Sequence, residues 1–309
     1  MKIATVATGG IGGFLAVRLT EAGHQVATIA RGRHLAAIRA DGLKLSAHDG
    51  EHLVAPWMAT DDTGEVGAVD AIIFGVKCSG LEAAAELCRP MLGDDTIVIP
   101  FLNGVEASDR LAQILPERNV GNGVAFISTT IAEPGLISQT GEFNRFVFAE
   151  RDSTPSGRVD ALRAAINDAG SVAPPTDDIE RELWTKFVLF SAVSGVTAGA
   201  RCTIGDIMAS QPLSATFQTI VAETAALGRK RGVALPDSVE ADTWAFAQGL
   251  PAPMRASTAV DLEHGNPLEV DWISGAVARL SAEAGLAAPV NATIHALLSP
   301  FSAGKAPRG

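Results

Sequence analysis

One lysine interrupts a long apolar segment in the second half of the chain. Lys186 lies in ERELWTKFVLFSAVSGVTAGA, where the spacing of the apolar residues predicts a helix. On that helix Lys186, Phe190 and Ser194 share one face, because they stand at positions i, i+4 and i+8. Such a lysine either extends its ammonium group to solvent or points it into a polar cleft. The residues alone favour the solvent-exposed lysine.

The chain contains no tyrosine. This excludes one family of dehydrogenases, in which a tyrosine beside a lysine is the proton donor. Any general acid in this protein must therefore be another residue type.

The glycine-rich stretch ATGGIGG, residues 7–13, has the spacing of a dinucleotide-binding turn with one departure. In such a turn the first glycine allows a tight reversal, the second lets the pyrophosphate approach the backbone, and the third lets the helix pack closely on the strand. Gly9 and Gly12 supply the second and third, whereas Ala7 replaces the first. Alanine is tolerated there if it keeps a negative φ, so we predict a cofactor turn rather than a bend that binds nothing. The residues predicted to contact the cofactor are Ala7, Thr8, Gly9, Gly10, Ile11 and Gly12.

Two arginines follow the next predicted strand, QVATIA. A site for NAD would place Asp or Glu at the end of this strand, to bind the ribose 2′-hydroxyl. Arg31 stands there instead, with Arg33 two residues later, and a guanidinium group suits a 2′-phosphate. The sequence therefore favours NADP(H) over NAD(H), with a pair of solvated surface arginines as the alternative.

Two more polar residues follow predicted strands. Lys77 comes after AIIFGV, and Asn103 comes after TIVIPFL. Ligands of open α/β sheets collect beyond the carboxyl ends of the strands, which makes both residues candidates for a binding site. Each residue alone is equally compatible with an ordinary turn residue or an exposed lysine.

A carboxylate near the C-terminal end has a structural interpretation. In the stretch GNPLE, Asn266, Pro267 and Glu269 have the spacing of the N-cap, N1 and N3 positions of a helix. This is the arrangement of a capping box, which would explain Glu269 without any role in catalysis.

The composition favours a small-molecule partner. The formal net charge of the 309 residues is −11, and Lys and Arg form no basic stripe of the kind that binds nucleic acid. No run of about 18 apolar residues predicts a membrane span, and the N-terminus lacks a signal pattern, so we expect a cytoplasmic protein. Cys78, Cys88 and Cys202 lack the spacing of a metal site, and we expect no metal.

The first half of the chain alternates strand and helix patterns. KIATVA, the glycine turn, FLAVRLTEAGH and QVATIA predict a βαβ unit. The alternation continues through DAIIFGV, SGLEAAAELCRPML, TIVIPFL and GVEASDRLAQIL, which predicts an α/β fold with a parallel, Rossmann-type sheet. The stretches NVGNGVAFISTTIAEPGLISQTG and RFVFAE then predict antiparallel strands added at the edge of that sheet.

The two prolines of SVAPPTDD mark the best domain boundary, because they exclude a helix and the acidic residues after them favour a helix start. A helix at about residues 155–169 precedes it, and the pattern after it is almost wholly helical. We therefore expect an NADP-binding Rossmann-type domain at residues 1–173, an all-α substrate and catalytic domain at residues 177–303, and a flexible tail at residues 304–309.

Taken together, these segments resemble the ketopantoate reductase (2-dehydropantoate 2-reductase) family. The matching stretches are GGIGGFLAVRLTEAGHQV with ARGRHLAAIRADGLKL, FGVKCSG, PFLNGVE, ELWTKF with SGVTAGAR and IGDI, and STAVDLEHGNPLEVDWISG. Their order and spacing are more specific than any one of them, and they span most of the chain. The resemblance implies a Rossmann domain followed by an α-helical domain, NADPH as cofactor, and the reduction of 2-dehydropantoate to pantoate in pantothenate biosynthesis.

The resemblance also implies catalytic roles for two residues. Lys186 matches the lysine that donates a proton to the substrate carbonyl oxygen while hydride arrives at the 2-oxo carbon. Glu269 matches the glutamate that orients the substrate through a hydroxyl group. By the same resemblance Ser257 is a substrate-binding serine and Asn103 lies beside cofactor and lysine, while Arg31 and Lys77 match positions at the phosphate end of the cofactor.

Two positions depart from the family pattern. Better-characterised members carry asparagines one and two turns after the lysine, where this chain has Phe190 and Ser194. We expect these two residues to line the substrate pocket together with Asn103 and Ser257, and to make it narrower and more apolar. Three functions therefore stay open: 2-dehydropantoate reduction as the leading one, reduction of another small 2-oxo acid or related carbonyl compound or imine, and an NADP-binding sensor without catalysis. The sequence allows a homodimer but does not require one.

Overall fold

The computed structural model describes residues 1–304, which form two compact units. Unit 1 comprises Met1–Leu102 and Glu106–Ile179, and unit 2 comprises Asn103–Val105 and the chain from Glu180 onward. The short loop that contains Asn103 thus belongs by its contacts to the C-terminal unit, although it follows a strand of the N-terminal one. Except for Gly304, the predicted tail at residues 304–309 lies outside the described residues.

The first three elements form the predicted βαβ unit. The first and second strands are parallel, with Lys2 opposite Gln25 and Val6 opposite Ile29. In each strand the last four of the five residues are buried, and three of those four are apolar. The helix between them begins at Gly10, within the glycine-rich stretch, and is followed by Gly23, whose φ of +86° allows the chain to reverse. The elements of unit 1 up to the last strand of its first sheet are β1 (Lys2–Val6), α1 (Gly10–Glu21), β2 (Gln25–Ile29), α2 (Gly32–Asp41), β3 (Leu43–Ala47), β4 (Gly50–Val54), β5 (Met58–Thr60), β6 (Ala71–Phe74), α3 (Leu81–Cys88) and β7 (Ile97–Pro100).

Five of these strands form a parallel sheet in the order β5-β2-β1-β6-β7. The order places β1 at the centre, with β2 on one side and β6 on the other. The segments that follow these three strands therefore emerge side by side at the carboxyl edge of the sheet, where open α/β sheets bind their ligands. The predicted parallel sheet is confirmed.

A second sheet completes unit 1. Its order is β4-β3-β9-β8, with β8 antiparallel to β9 and β3 parallel to β9. The antiparallel strands were expected at the edge of the first sheet, but they pair with each other, and β9 with β3, in a separate sheet, which corrects that expectation. Helix α1 contacts strands of both sheets, and its Phe14 stacks on Phe146 at 6.2 Å between ring centroids. The remaining elements of unit 1 are α4 (Ala107–Ile114), β8 (Gly121–Glu133), β9 (Leu136–Glu150) and α5 (Gly157–Asp168).

Unit 2 is built from helices. Between Glu180 and Gly304 the structure contains α-helices and short 3-10 turns without a named strand, as predicted. The longest helix carries Lys186 near its start, and its segment from Ser191 to Ala198 is continuously buried. The helices are α6 (Ile179–Gly199, which begins at the last residue of unit 1), α7 (Ile204–Ala209), α8 (Gln211–Lys230), α9 (Val239–Gln248), α10 (Ser257–His264), α11 (Ser274–Glu283) and α12 (Pro289–Leu298).

Candidate active site

Lys186 lies on the second turn of α6 in a polar cluster of unit 2. Its side chain is partly buried, and Nζ lies 3.5 Å from Oδ1 of Asn103. Nζ also lies 5.5 Å from the centroid of the Phe190 ring, one helical turn further on. The solvent-exposed lysine that the residues alone favoured is therefore wrong, and the polar alternative is what the structure contains.

Two opposing influences act on the ammonium group of Lys186. Burial lowers its pKa to about 8, while the negative charge of Glu269 acts to raise it. A lysine with a pKa of about 8 is mainly protonated at neutral pH, yet it gives up its proton far more readily than an ordinary lysine. These are the properties of a general acid that works near pH 7.

Asn103 connects the lysine to the carboxylate. Its Nδ2 donates a hydrogen bond of 3.0 Å to Oε2 of Glu269, while its Oδ1 faces Lys186. The next residue, Gly104, has a φ of +92°, and a Cβ placed there would lie 2.8 Å from the carbonyl oxygen of Trp272. Glycine therefore allows the Asn103 loop to approach the segment that carries Glu269, because an added side chain would push the two apart.

The predicted capping box is wrong. No helix begins at Pro267, and Glu269 instead precedes a 3-10 turn at Val270–Trp272 without capping it through its side chain. Asn266 donates its side-chain hydrogen bond to Asp261, at the end of the preceding helix. The carboxylate of Glu269 is therefore available to Asn103, and its position needs an explanation other than capping.

The three other predicted substrate residues differ in their surroundings. Phe190 is partly buried beside Lys186. Ser194 is 2% exposed, and its hydroxyl donates to Oγ1 of Thr258 at 2.7 Å. Ser257 is exposed at the first position of α10, where Ala256 occupies the N-cap position and supplies no side-chain cap. A direct contact of these residues with substrate stays a prediction.

The glycine turn of unit 1 reverses at a strained alanine. Ala7 has a φ of +54°, so the expectation of a negative φ at this position is wrong. A non-glycine residue in this left-handed region costs about 1–2 kcal/mol relative to its usual conformation. Ala7 thus adopts the conformation that the replaced glycine would have supplied, at an energetic cost.

The glycines of this turn that are required for close packing are not the ones expected from the sequence. A Cβ on Gly9 would meet nothing closer than the Ala7 carbonyl oxygen at 3.6 Å, which is ordinary contact. A Cβ on Gly12 would also make ordinary contacts, at 3.5 Å. Close packing instead requires Gly10, whose Cβ would overlap the backbone of Thr129, and Gly13, whose Cβ would lie 2.6 Å from Ile137. The assignment of helix packing to Gly12 is therefore wrong, and the extra glycines in GGIGG were the available signal.

Two further residues of the turn face the protein interior to different degrees. Thr8 is 2% exposed, and its hydroxyl contacts the carbonyl oxygens of Thr5 and Ile29 at 3.0 and 3.1 Å. This side chain ties the turn to the end of β2. Ile11, in the first turn of α1, is partly buried against the core. Their backbone atoms are what a bound cofactor could contact.

The predicted phosphate-binding residues follow the neighbouring strands. Arg31 is exposed at the N-cap position of α2, two residues after the end of β2, and Arg33 is exposed two residues later. Lys77 is exposed three residues after the end of β6. Since β2, β1 and β6 are adjacent in the sheet, Arg31, the glycine turn and Lys77 all lie at the same edge of unit 1.

Sequence reasoning missed His34, which supports this edge. Its Nδ1 accepts a hydrogen bond of 3.0 Å from the backbone N–H of Gly135, at the turn between β8 and β9. Burial lowers the pKa of His34, against a backbone hydrogen bond with Thr8 that raises it. His34 follows Arg31 and Arg33 in the sequence and contacts the hairpin turn at Gly135. No local sequence pattern indicates this contact, because Gly135 is about a hundred residues away.

Two kinds of feature are absent from the described part of the chain. In residues 1–304 no group of three or more His, Cys, Asp or Glu side chains is arranged to hold a metal ion. No helix among the same residues has the length and apolar character required to cross a membrane. All three cysteines are buried.

Comparison with known proteins covers both units. Residues 3–153 match the family described as ketopantoate reductase PanE/ApbA, and residues 178–302 match its C-terminal domain. A 2-dehydropantoate 2-reductase from Mesorhizobium japonicum is 33% identical, with 91% of each chain covered.

Solved structures agree with this assignment. A PanE/ApbA family ketopantoate reductase from Ralstonia eutropha is 29% identical, with a TM-score of 0.89 and 98% of each chain covered. A D-mandelate dehydrogenase, solved with NADH and anilino(oxo)acetate, shares the fold at 21% identity, with a TM-score of 0.88 and 98% of each chain covered. The chain, with its parallel-sheet unit, its helical unit and its partly buried lysine, belongs to the ketopantoate reductase (PanE/ApbA) family of oxidoreductases.

Proposed function

We propose that this protein reduces a small 2-oxo acid to the 2-hydroxy acid with NADPH, and that 2-dehydropantoate, named for several relatives, is the leading candidate substrate. The observation that carries the proposal is the cluster of Lys186, Asn103 and Glu269, in which a partly buried ammonium group has a pKa of about 8. A sensor without catalysis would have no need of such a group.

The carboxyl edge of the sheet in unit 1 fits a dinucleotide. Helix α1 begins at Gly10, and its N-cap residue Gly9 supplies no side-chain cap, which leaves backbone N–H groups for a pyrophosphate. The space beside Gly9 allows a ligand to approach the backbone closely. The related D-mandelate dehydrogenase structure contains NADH, which supports a nicotinamide cofactor. The exposed guanidinium groups of Arg31 and Arg33 favour NADPH, because they could pair with a 2′-phosphate.

The chain's own residues then perform the proton transfer. When bound, the reduced nicotinamide supplies hydride to the 2-oxo carbon. Lys186 donates a proton from Nζ to the carbonyl oxygen, which becomes the hydroxyl group of the product. Asn103 positions Nζ, and the negative charge of Glu269 keeps the lysine protonated between turnovers. Glu269 also orients the substrate by accepting a hydrogen bond from a hydroxyl group of the substrate. Ser257 binds the substrate at the N-terminus of α10.

The domain roles and the assembly follow as part of the same proposal. Residues 1–173 hold the cofactor, and residues 177–303 bind the substrate and donate the proton. The cytoplasmic location and the homodimer that the sequence allows stay predictions.

Two measurements in sequence test the proposed function. Thermal unfolding is followed with NADPH and with NADH, and we expect the larger rise in Tm with NADPH. NADPH oxidation is then measured with a panel of 2-oxo acids that includes 2-dehydropantoate, and we expect turnover. NADPH binding without turnover of any acid would favour the sensor, and a larger stabilisation by NADH would contradict the assigned role of Arg31.

A further inference from the structure

The turn that carries Glu269 is bonded to the C-terminal end of the described chain. Before Glu269, the backbone N–H of Leu268 donates a hydrogen bond of 3.0 Å to the carbonyl oxygen of Ser302. Pro267 forms an antiparallel bridge with Ala303 beside it. These contacts fix the path of the chain up to Glu269, but they leave open the direction that the chain takes after it.

After Glu269, one side chain of α12 reaches the same turn. Nε2 of His295 lies 2.7 Å from Oδ1 of Asp271, which is two residues beyond Glu269. An ionised carboxylate only accepts hydrogen bonds, so Nε2 is the donor. The bond connects the 3-10 turn at Val270–Trp272 to the last turn of α12.

The ring of His295 also lies directly against the backbone of α11. A Cβ added at Gly275, in the first turn of that helix, would lie 2.8 Å from Cδ2 of the ring and 2.9 Å from Nε2. Gly275 is buried, and only its lack of a side chain lets the ring come so close. Packing of this kind restricts the orientation of the ring, which keeps Nε2 directed toward Asp271.

We propose that His295 is a positioning residue: through Asp271 it holds the carboxylate of Glu269 in place. This inference rests on the proposed function, in which Glu269 orients the substrate and keeps Lys186 protonated. His295 acts only through the turn and needs no contact with the substrate. A catalytic group that is misplaced by about 1 Å can lower the rate about 100-fold, so the loss of one such hydrogen bond is measurable.

Variants of the pair test this role by activity. In His295→Ala the bond is lost, and we expect kcat/KM for the best 2-oxo acid of the panel to fall about 10- to 100-fold. His295→Gln places an amide donor near the position of Nε2 and should recover most of the loss. Asp271→Ala should match His295→Ala, and the double variant should be no worse than either, because all three lack the same hydrogen bond. A wild-type kcat/KM in folded His295→Ala, or additive losses in the double variant, would overturn the inference.

A titration of Lys186 separates positioning from a purely structural role. The rate at which acetic anhydride modifies Lys186 is measured against pH by peptide mass spectrometry, which reports the pKa of the ammonium group without turnover. The charge of Glu269 raises that pKa, so we expect a lower midpoint in His295→Ala and a return toward the wild-type midpoint in His295→Gln. An unchanged midpoint in folded His295→Ala would show that His295 only stabilises the fold.

The matched control breaks another polar contact between two elements of unit 2. Arg229 of α8 bonds to Glu240 of α9 at 2.8 Å, and Glu240→Gln should leave both kcat/KM and the Lys186 midpoint unchanged. The two readouts also keep the inference separate from the proposed function. A wild type that reduces no 2-oxo acid would overturn the proposed function, whereas the Lys186 titration would still decide whether His295 acts on Glu269.

Discussion

Two effects set the pKa of Lys186. Burial lowers the pKa, and the negative charge of Glu269 raises it. The balance yields a pKa of about 8, and Asn103 lies between the two charged groups. The sequence showed an apolar helix with one lysine, but not that Asn103 and Glu269, 166 positions apart, would meet beside it. Only the resemblance to a family connected them, because contacts over such separations leave no local pattern.

The pH dependence of reduction follows from this balance. Lys186 must be protonated to donate, so kcat/KM should be constant below pH 8 and fall about tenfold per pH unit above it. In Glu269→Gln the influence that raises the pKa is removed, and the alkaline limb should move to lower pH. The control is Glu283→Gln, an exposed carboxylate of α11, which should leave the limb in place. A limb that stays at pH 8 in Glu269→Gln would contradict the coupling.

The positive φ of Ala7 leads to a second prediction about a single residue. Ala7→Gly should remove the cost of the left-handed conformation. Glycine also raises the entropy of the unfolded chain, which offsets part of this gain, so the free energy of unfolding should rise by up to about 1 kcal/mol. NADPH affinity should be kept or modestly improved. Ala55 is an exposed loop residue without a positive φ, so Ala55→Gly relieves no strain and should lower the stability of the protein slightly. Chemical denaturation measures both, and a large loss of affinity in Ala7→Gly would contradict this description of the turn.

At the scale of elements, β1, α1 and β2 could be predicted because apolar strands and a glycine turn have a clear pattern. The strands β3 and β4 could not, since LKLSA and GEHLV are short, carry charges and are largely exposed along β4. Strand β4 pairs with β3, and β3 in turn pairs with β9, a partner about 90 residues later in the chain. That second sheet is why Gly10 and Gly13 must lack side chains, a requirement that the fingerprint alone assigned to Gly12.

The glycine turn therefore offers a test that separates folding from cofactor binding. Gly9→Ala adds a Cβ that the protein accommodates, so stability should change little, while NADPH affinity should fall at least about tenfold because the pyrophosphate loses its approach to the backbone. Gly10→Ala should lower the Tm by several degrees, since its Cβ overlaps the Thr129 backbone. Thermal unfolding and NADPH titration measure the two effects. Equal NADPH affinity of Gly9→Ala and wild type would mean that the turn does not bind the cofactor.

A charged cluster attaches α1 to the hairpin of β3 and β4. Arg18 is 8% exposed and pairs with Asp49 at 2.6 Å, which lowers the pKa of Asp49 to about 2. The depressed carboxyl pKa gives stability that is present above about pH 4 and is lost as the pH falls toward 2. Because the Asp49 side chain is 43% exposed, Asp49→Asn should cost no more than about 1 kcal/mol at pH 7.

Acid denaturation checks this contribution. The difference in unfolding free energy between wild type and Asp49→Asn should shrink between pH 4 and pH 2. Asp94→Asn, whose side chain is 97% exposed beside Arg118, is the matched control and should show a much smaller difference. A difference that is independent of pH would show that Asp49 acts through packing rather than charge.

At the scale of the whole molecule, the chain combines a unit built on a parallel sheet with a helical unit that carries Lys186. Composition and alternation predicted this order of fold types, because βαβ repeats and uninterrupted helical periodicity are strong signals. They could not predict that Asn103–Val105 would group with the helical unit, since the loop continues directly from β7. The proposed chemistry therefore relies on a loop contributed by one half of the sequence to the other.

In the proposed reaction Lys186 donates the proton during NADPH-dependent reduction of a 2-oxo acid. The most direct measurement is single-turnover NADPH oxidation by Lys186→Ala with the best acid of the panel, beside an NADPH titration of the same variant. We predict a rate lower by about 10²- to 10⁴-fold, an unchanged Kd for NADPH, and a wild-type rate in Lys230→Ala, the control at the end of α8. A wild-type rate in Lys186→Ala would contradict the account.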